Sequence, residues 1–382
     1  MENEAYGAFV GIDVDSTLPV FTLGLIGGTE YMDADDSATV RPRQGLQVFK
    51  RAVAFFKTRG VTEVVHCGNV IHSANAGTGT QFTALQDMET ERGRLGRARW
   101  HFAAGPADVV NFSGAPGGVL GALKASRDES AAAAGRSYYA AFPAAQWRLL
   151  VLDAFDGVNP ASVPTWGDAP PLAKLGEAQL VWLSAQLSVA ASTGEKALLV
   201  CHVPIAALQN SAAVGERLAA APGVVMAVLS LGDGTGSHHV DSSGMHHLSL
   251  RAAADLGANV DAFGVLTVYA DTMKLEMRGA APDASRCPHG WPSELPFAPR
   301  GGQLVTSEQS AAWMASFVSF WLVLISTLLA PMSAAMRMLT SNADAGAAAE
   351  HGGLDPDAGA PSAGRAQRKP TADIVEESPD NV

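Results

Sequence analysis

Cysteine is nearly missing from this 382-residue chain: Cys67, Cys201 and Cys287 are the only three, with no CxxC or CxxH spacing. That excludes a disulfide framework and a zinc-ribbon module. Charge is scarce too, at 17% of residues, and no basic run occurs. With 26 Lys and Arg against 38 Asp and Glu the net charge is −12, so the basic face that nucleic acid requires is lacking and no nucleic-acid partner is expected. The opening residues, MENEAYGAF, carry two acids and neither a basic n-region nor an Arg-rich amphipathic stretch, which predicts no standard secretory or transit signal there. Glycine (39) and proline (21) are frequent but aperiodic, which rules out collagen-like and solenoid architectures. What is abundant is hydrophobic sequence, 47%, enough for a substantial core.

The chain divides into an N-terminal extension (1–17), a globular domain (18–285), a Pro/Gly-rich neck (286–308), an apolar segment (309–336) and a polar acidic tail (337–382). From Gln309 to Met336 no residue is charged. A helix of about 20 apolar residues crosses a bilayer, so this segment predicts one C-terminal transmembrane helix in contact with lipid. Trp313 and Trp321 are its amphipathic rings, and Pro331 kinks or ends it. Small residues such as Ala311, Ala312, Ala315, Ser316 and Ser319 give it a close-packing face for partner helices. Beyond Thr340, eight acidic and three basic residues lie among Ala, Gly and Pro without apolar periodicity, the composition of a segment that forms no core of its own.

Within the globular part, apolar runs of strand length stand at 20–26, 63–68, 147–155, 196–203, 223–232, 245–252 and 263–270. Continuous apolar strands are covered on both faces. Helical patterns alternate with them: GLQVFKRAVAFFKTRG stops at Gly60, and LGEAQLVWLSAQLSVAASTG puts Leu180, Leu183 and Leu187 on one stripe before Gly194. The alternation predicts a layered α/β sandwich. Ligands of such sheets bind past the C-terminal strand ends, which here present Gly28, Glu30, Asn69, His202, Gly232 and Gly234.

GLIGGTEYMDADD, HCGNVI, NFSG, WRLLVLDAFD, LGEAQLVWLSAQL, CHVPI, LGDGTGSHHVDSSGMHHLSL and AFGVLTVY follow one another in this order. Together they resemble the calcineurin-like metallophosphoesterases, and within them the manganese-dependent ADP-ribose/CDP-alcohol diphosphatases. The resemblance covers about residues 18–280 and implies the α/β metallophosphoesterase-type sandwich, with two divalent metals that clamp phosphate and activate water. It also implies where the ligands belong. The Asp-x-Gln block falls on Gly28 and Glu30. The bridging Asp of Gly-Asp falls on Asn69, and Gly-Asn-His-Glu falls on Gly105, Pro106, Ala107 and Asp108, so that Pro106 and Ala107 stand at its Asn and His. The His before x-Pro is His202, and the two imidazoles of Gly-His-x-His are Gly232 and Gly234. Framework residues of the family are kept at Tyr31, Asn111, Phe112, Pro204, Asp241, His246 and His247.

A metal pair without its bridging carboxylate suffers uncompensated repulsion, so these substitutions predict no metal, no cofactor and no catalysis. A rewired zinc site from His66, Cys67, His72, Cys201 and His202 is disfavoured because adjacent strand residues point to opposite faces. The expected function is therefore that of an inactive accessory subunit, anchored in an organelle membrane such as the mitochondrial inner membrane and packed on other subunits of a membrane complex, for instance a respiratory one. Two other readings stand beside it: a membrane-anchored hydrolase of ADP-ribose or CDP-alcohols, and a nucleotide sensor that binds near Glu30, Asn69 and His202 without cleaving.

Overall fold

The computed structural model describes residues 17–297, apart from 36–40, 128–130, 133, 157, 159–172, 233 and 255–259. The expected span at 309–336 with Trp313, Trp321 and Pro331, and the acidic tail, lie outside the described residues. Among the described residues no helix is long and apolar enough to cross a membrane.

The strands are β1 (Phe21–Ile26), β2 (Glu63–His66), β3 (Arg99–Phe102), β4 (Tyr139–Ala144), β5 (Trp147–Val151), β6 (Lys196–Val200), β7 (Val225–Ser230), β8 (Thr235–Val240), β9 (His246–Arg251), β10 (Ala262–Val268), β11 (Thr272–Gly279) and β12 (Glu294–Pro296). The helices are α1 (Gln44–Thr58), α2 (Ala74–Thr78), α3 (Gln81–Arg92), α4 (Pro106–Phe112), α5 (Gly118–Ala122), α6 (Glu177–Thr193) and α7 (Ser211–Ala219). One sheet has the order β12-β11-β10-β1-β2-β3 and the other β4-β5-β6-β7-β9-β8. The centres are parallel, β1 beside β2 and β3 in the first sheet and β5, β6, β7 and β9 in the second. Antiparallel strands close the flanks.

Period-two alternation decides which side chain enters which layer. In the second sheet Leu149, Val151, Leu198, Val200, Leu229 and Leu248 join the core shared with Leu23 and Leu25 of β1. Their neighbours Leu150, Leu199, Cys201 and Val228 face outward and are covered by Leu180, Leu183 and Leu187 of α6 and Val214 of α7. Both faces are dry, which is why these strands read as unbroken apolar runs. On the first sheet α1 buries Val48, Phe49, Ala52, Val53 and Phe56 at helical spacing. Each large side chain so buried contributes roughly 1.5–3 kcal/mol.

β12 is formed by residues assigned from composition to the Pro/Gly-rich neck. It pairs with β11 and buries Leu295 completely, and Phe297 packs on Trp147. Its proline is tolerated because β12 lies at the sheet edge, where a missing N–H costs no ladder bond.

Candidate functional site

The C-terminal ends of β1, β2, β3, β6 and β7 meet at one edge of the sandwich. Backbone bonds stitch the first loops together: Gly28 N–H donates to Gly68 O at 2.9 Å and Glu30 N–H to Asn69 O at 2.9 Å. Glu30 (φ 44°) and Asn69 (φ 55°) hold left-handed backbone conformations, as do Gly28, Gly68, Gly232 and Gly234. For a residue with a Cβ this conformation is strained, and such strain concentrates at functional loops.

The side chains form one buried network. Asn69 donates from Nδ2 to Glu30 Oε1 at 2.8 Å and accepts at Oδ1 from Ala107 N–H at 3.1 Å. Asp108, at the start of α4, accepts three backbone N–H groups, from Asn69 (2.7 Å), Val70 (2.8 Å) and Gly105 (3.0 Å). His202 crosses from the second sheet to the first, donating from Nδ1 to Cys67 O at 2.6 Å. That crossing needs glycine: a Cβ at Gly68 would lie 2.5 Å from Ala103 O and from His202 Nδ1, and one at Gly105 2.7 Å from His202 Cε1. Glu30, Asn69, Asp108 and His202 are all buried.

Of the positions expected from the sequence, the structure thus unites Glu30, Asn69, Ala107 and His202, with Ala107 contributing only its backbone. Pro106 begins α4 and offers no donor. Gly28 packs so closely on Ala252 that a Cβ there would sit 2.8 Å from it, and Gly232 lies against Pro204 and Ser249. Asp108, at the Glu of the Gly-Asn-His-Glu block, is present as the sequence placed it, but its role was not foreseen. Its carboxylate is spent on backbone groups around Asn69, a role that leaves no mark in sequence spacing.

Burial governs the titration of the site. It pushes His202 down to about 4, against the opposing pull of the Cys67 carbonyl, and it pushes His66 down to about 3 with the help of neighbouring His202. It pushes Asp108 up to about 6 despite its three N–H donors, and Asp153 up to about 6 likewise. Both imidazoles are neutral in the folded protein where those of the unfolded chain, near 6.5, take up protons. Their contribution to stability is therefore complete above pH 6.5 and is lost as pH falls toward 4. The two carboxyls act oppositely, since they are neutralised below pH 6, but their shifts are smaller. The midpoint of thermal unfolding is expected to fall by roughly 5 °C between pH 7 and pH 5, read by calorimetry. A midpoint that rises over that interval would assign the titration to the carboxyls instead.

The alternative zinc set does not assemble. His66 spends both nitrogens, Nε2 on Thr29 Oγ1 at 3.1 Å and Nδ1 on Gly68 N–H at 3.2 Å. Burial raises the Cys67 thiol far above its ordinary range and pushes Cys201 up to about 12, so neither presents a thiolate. Nor does the donor set fit the metal pair that the fold implies. Gly28, Pro106, Gly232 and Gly234 supply no side-chain donor, Asn69 replaces an anion with an amide, and the Asp108 oxygens are engaged by three N–H groups. Among the described residues no three His, Cys, Asp or Glu side chains converge as metal ligands.

No family model matches the chain. Its sequence is 24% identical over 319 residues to the manganese-dependent ADP-ribose/CDP-alcohol diphosphatase of Oryza sativa subsp. japonica, covering 72% of this chain and 97% of that protein. The Danio rerio protein of the same name is 25% identical over 316 residues, covering 69% and 97%. A dimetal phosphatase from Danio rerio superimposes with a TM-score of 0.61 at 21% identity, over 73% of this chain and 100% of that one. The domain has the calcineurin-like metallophosphoesterase fold.

These relatives correct the expectation that the chain is not an enzyme. That expectation rested on missing metal ligands alone, whereas the similarity runs almost end to end through proteins named as diphosphatases. The physical reason is that donor substitutions at single positions say nothing about other groups the fold delivers to the same edge. Here the fold sets the Asp108 carboxylate beside Asn69, where it holds the backbone of the strand-end loops rather than an ion.

Proposed function

We propose that this metallophosphoesterase-fold chain is a hydrolase of the diphosphate linkage in nucleotides of the ADP-ribose or CDP-alcohol class. The observation that carries the reading is the similarity over 97% of the length of two curated diphosphatases. Supporting it are the strained strand-end loops at Glu30 and Asn69 and the interior imidazole of His202, which an ordinary loop has no cause to retain. His202 Nδ1 is committed to Cys67 O, so its neutral ring has Nε2 as the atom able to accept a hydrogen bond. The amide of Asn69 is the adjoining neutral polar group.

The test is incubation of the purified full chain with ADP-ribose and with CDP-choline, with and without manganese(II), following release of AMP or CMP. Turnover on the scale of about 1 per second or faster, abolished in His202→Ala while folding is retained, is the expected result. No release above the blank under either metal condition rejects the proposal.

A further inference from the structure

The outer edge of the second sheet carries four histidines on two adjacent strands. On one face His239 of β8 and His247 of β9 are direct cross-strand partners, their rings parallel within 3° and 4.5 Å apart. On the other face His238 and His246 meet Nε2 to Nδ1 at 3.1 Å, and His246 Nε2 reaches Pro296 O at 2.9 Å. The second pair is therefore occupied: both nitrogens of His246 are engaged, one by the His238 ring and one by backbone. The first pair is not. His247 Nε2 is held by Asp241 Oδ2 at 3.2 Å, and its Nδ1 has no hydrogen-bond partner among the described residues. Neither nitrogen of His239 has one either.

We propose that His239 and His247, the latter oriented by Asp241, form a binding site for a borderline divalent transition metal of the zinc(II) type, with water completing the coordination.

Three features carry the inference. First, directly opposed strand residues have Cβ atoms about 4.5–5.5 Å apart, close enough for two imidazoles to turn about their side-chain bonds and share one ion. The metal–nitrogen distance they must reach is about 2.0–2.1 Å. Second, a ligating histidine ordinarily gives its other ring N–H to a carboxylate, which fixes the tautomer and makes the ring a better donor. Asp241 already does this for His247. Asp241 is itself held in place by Ser243 N–H at 2.8 Å, Ser243 Oγ–H at 2.6 Å and Met245 N–H at 3.1 Å. Third, His239 is exposed and half-buried His247 adjoins it, so an ion reaches the pair from solvent without crossing the core.

Two imidazoles, with no cage of three ligating side chains among the described residues, make this an open chelate. Imidazole nitrogens favour zinc, copper and nickel over magnesium, calcium and manganese, which take oxygen ligands. The site thus stands apart from the strand-end network and does not depend on the hydrolase reading.

The experiment titrates chelator-stripped full chain against a chromophoric zinc indicator at pH 7.5. One equivalent of zinc(II) is expected to leave the indicator for the protein, and His239→Gln and His247→Gln should each weaken uptake at least tenfold. Asp241→Asn is expected to weaken it by about tenfold, the usual size of a lost outer partner. His238→Gln is the control and should leave uptake unchanged. His239 is exposed, so its replacement leaves the core intact, and near-ultraviolet circular dichroism verifies this. Long-range proton–nitrogen spectra should show a zinc-induced shift at His247 Nδ1. No uptake by the parent chain, uptake unaltered in His239→Gln, or equal loss in His238→Gln would each overturn the proposal and leave a merely stacked surface pair.

Discussion

Asp108→Ala is expected to lower the stability of the domain by about 4 kcal/mol, because three buried N–H groups lose their acceptor at once and each unpaired donor costs about 1–3 kcal/mol. The three belong to Asn69, Val70 and Gly105, so the loss falls on the two loops that shape the strand-end network. Part of the loss is offset, since the mutation also removes a carboxyl that burial holds up near 6. Asp108→Asn keeps an oxygen for one or two of the donors but turns an amide toward the third, and about half of the effect is expected. Urea denaturation of both variants at pH 7.5 reads the difference. If alanine costs less than about 1 kcal/mol, the loops are held by something other than this carboxylate. Because Asn69 owes its left-handed conformation to the same grip, hydrolytic activity should fall more steeply than stability in both variants.

Asn69→Asp is isosteric, and yet about 3 kcal/mol of stability is expected to disappear at pH 8. The amide nitrogen that donates to Glu30 Oε1 at 2.8 Å would become a carboxylate oxygen beside the Glu30 carboxyl, in a buried site. Oδ1 can still accept from Ala107 N–H, so the loss is electrostatic rather than a matter of packing. The sign is checked by pH. A carboxyl beside a like charge in a dry site has a raised folded-state value, so its penalty is present above that value and fades as acid neutralises it. Relative to the parent, the variant should regain most of the difference by pH 5.5. A difference that is constant from pH 8 to 5.5 would show that the introduced carboxyl stays uncharged or that Glu30 moves away.

Much of the sandwich is legible in one dimension. β1, β2, β5, β6, β7, β9 and β10 coincide with the apolar runs because their two faces are both covered, and α1 and α6 with the two stretches of helical spacing. The strands that left no signal are those with a wet face or an edge position. β3 has four residues, beginning with exposed Arg99, and β8 is TGSHHV, with its outer end open to solvent. β11 alternates Lys274, Glu276 and Arg278 with its buried residues and therefore lacks a continuous run. Glu30, Asn69 and His202 could be placed at strand ends because ends follow from runs. Asp108 was placed by the Gly-Asn-His-Glu block, but its partners could not be: they are backbone groups up to 39 residues away, and a backbone N–H has no letter of its own.

The sequence by itself determined the layer order, the strand ends at which polar groups gather, and the absence of side-chain donors at Gly28, Pro106, Gly232 and Gly234, since each depends only on residue type and periodicity. Tertiary structure alone decided that His202 reaches the carbonyl of Cys67, that Asp108 closes the loops of Asn69, and that His239 stacks on His247. The reason is that such meetings depend on sheet-to-sheet approach and strand register. The former is set here by the missing Cβ atoms of Gly68 and Gly105, and the latter by pairing between strands that no local pattern encodes.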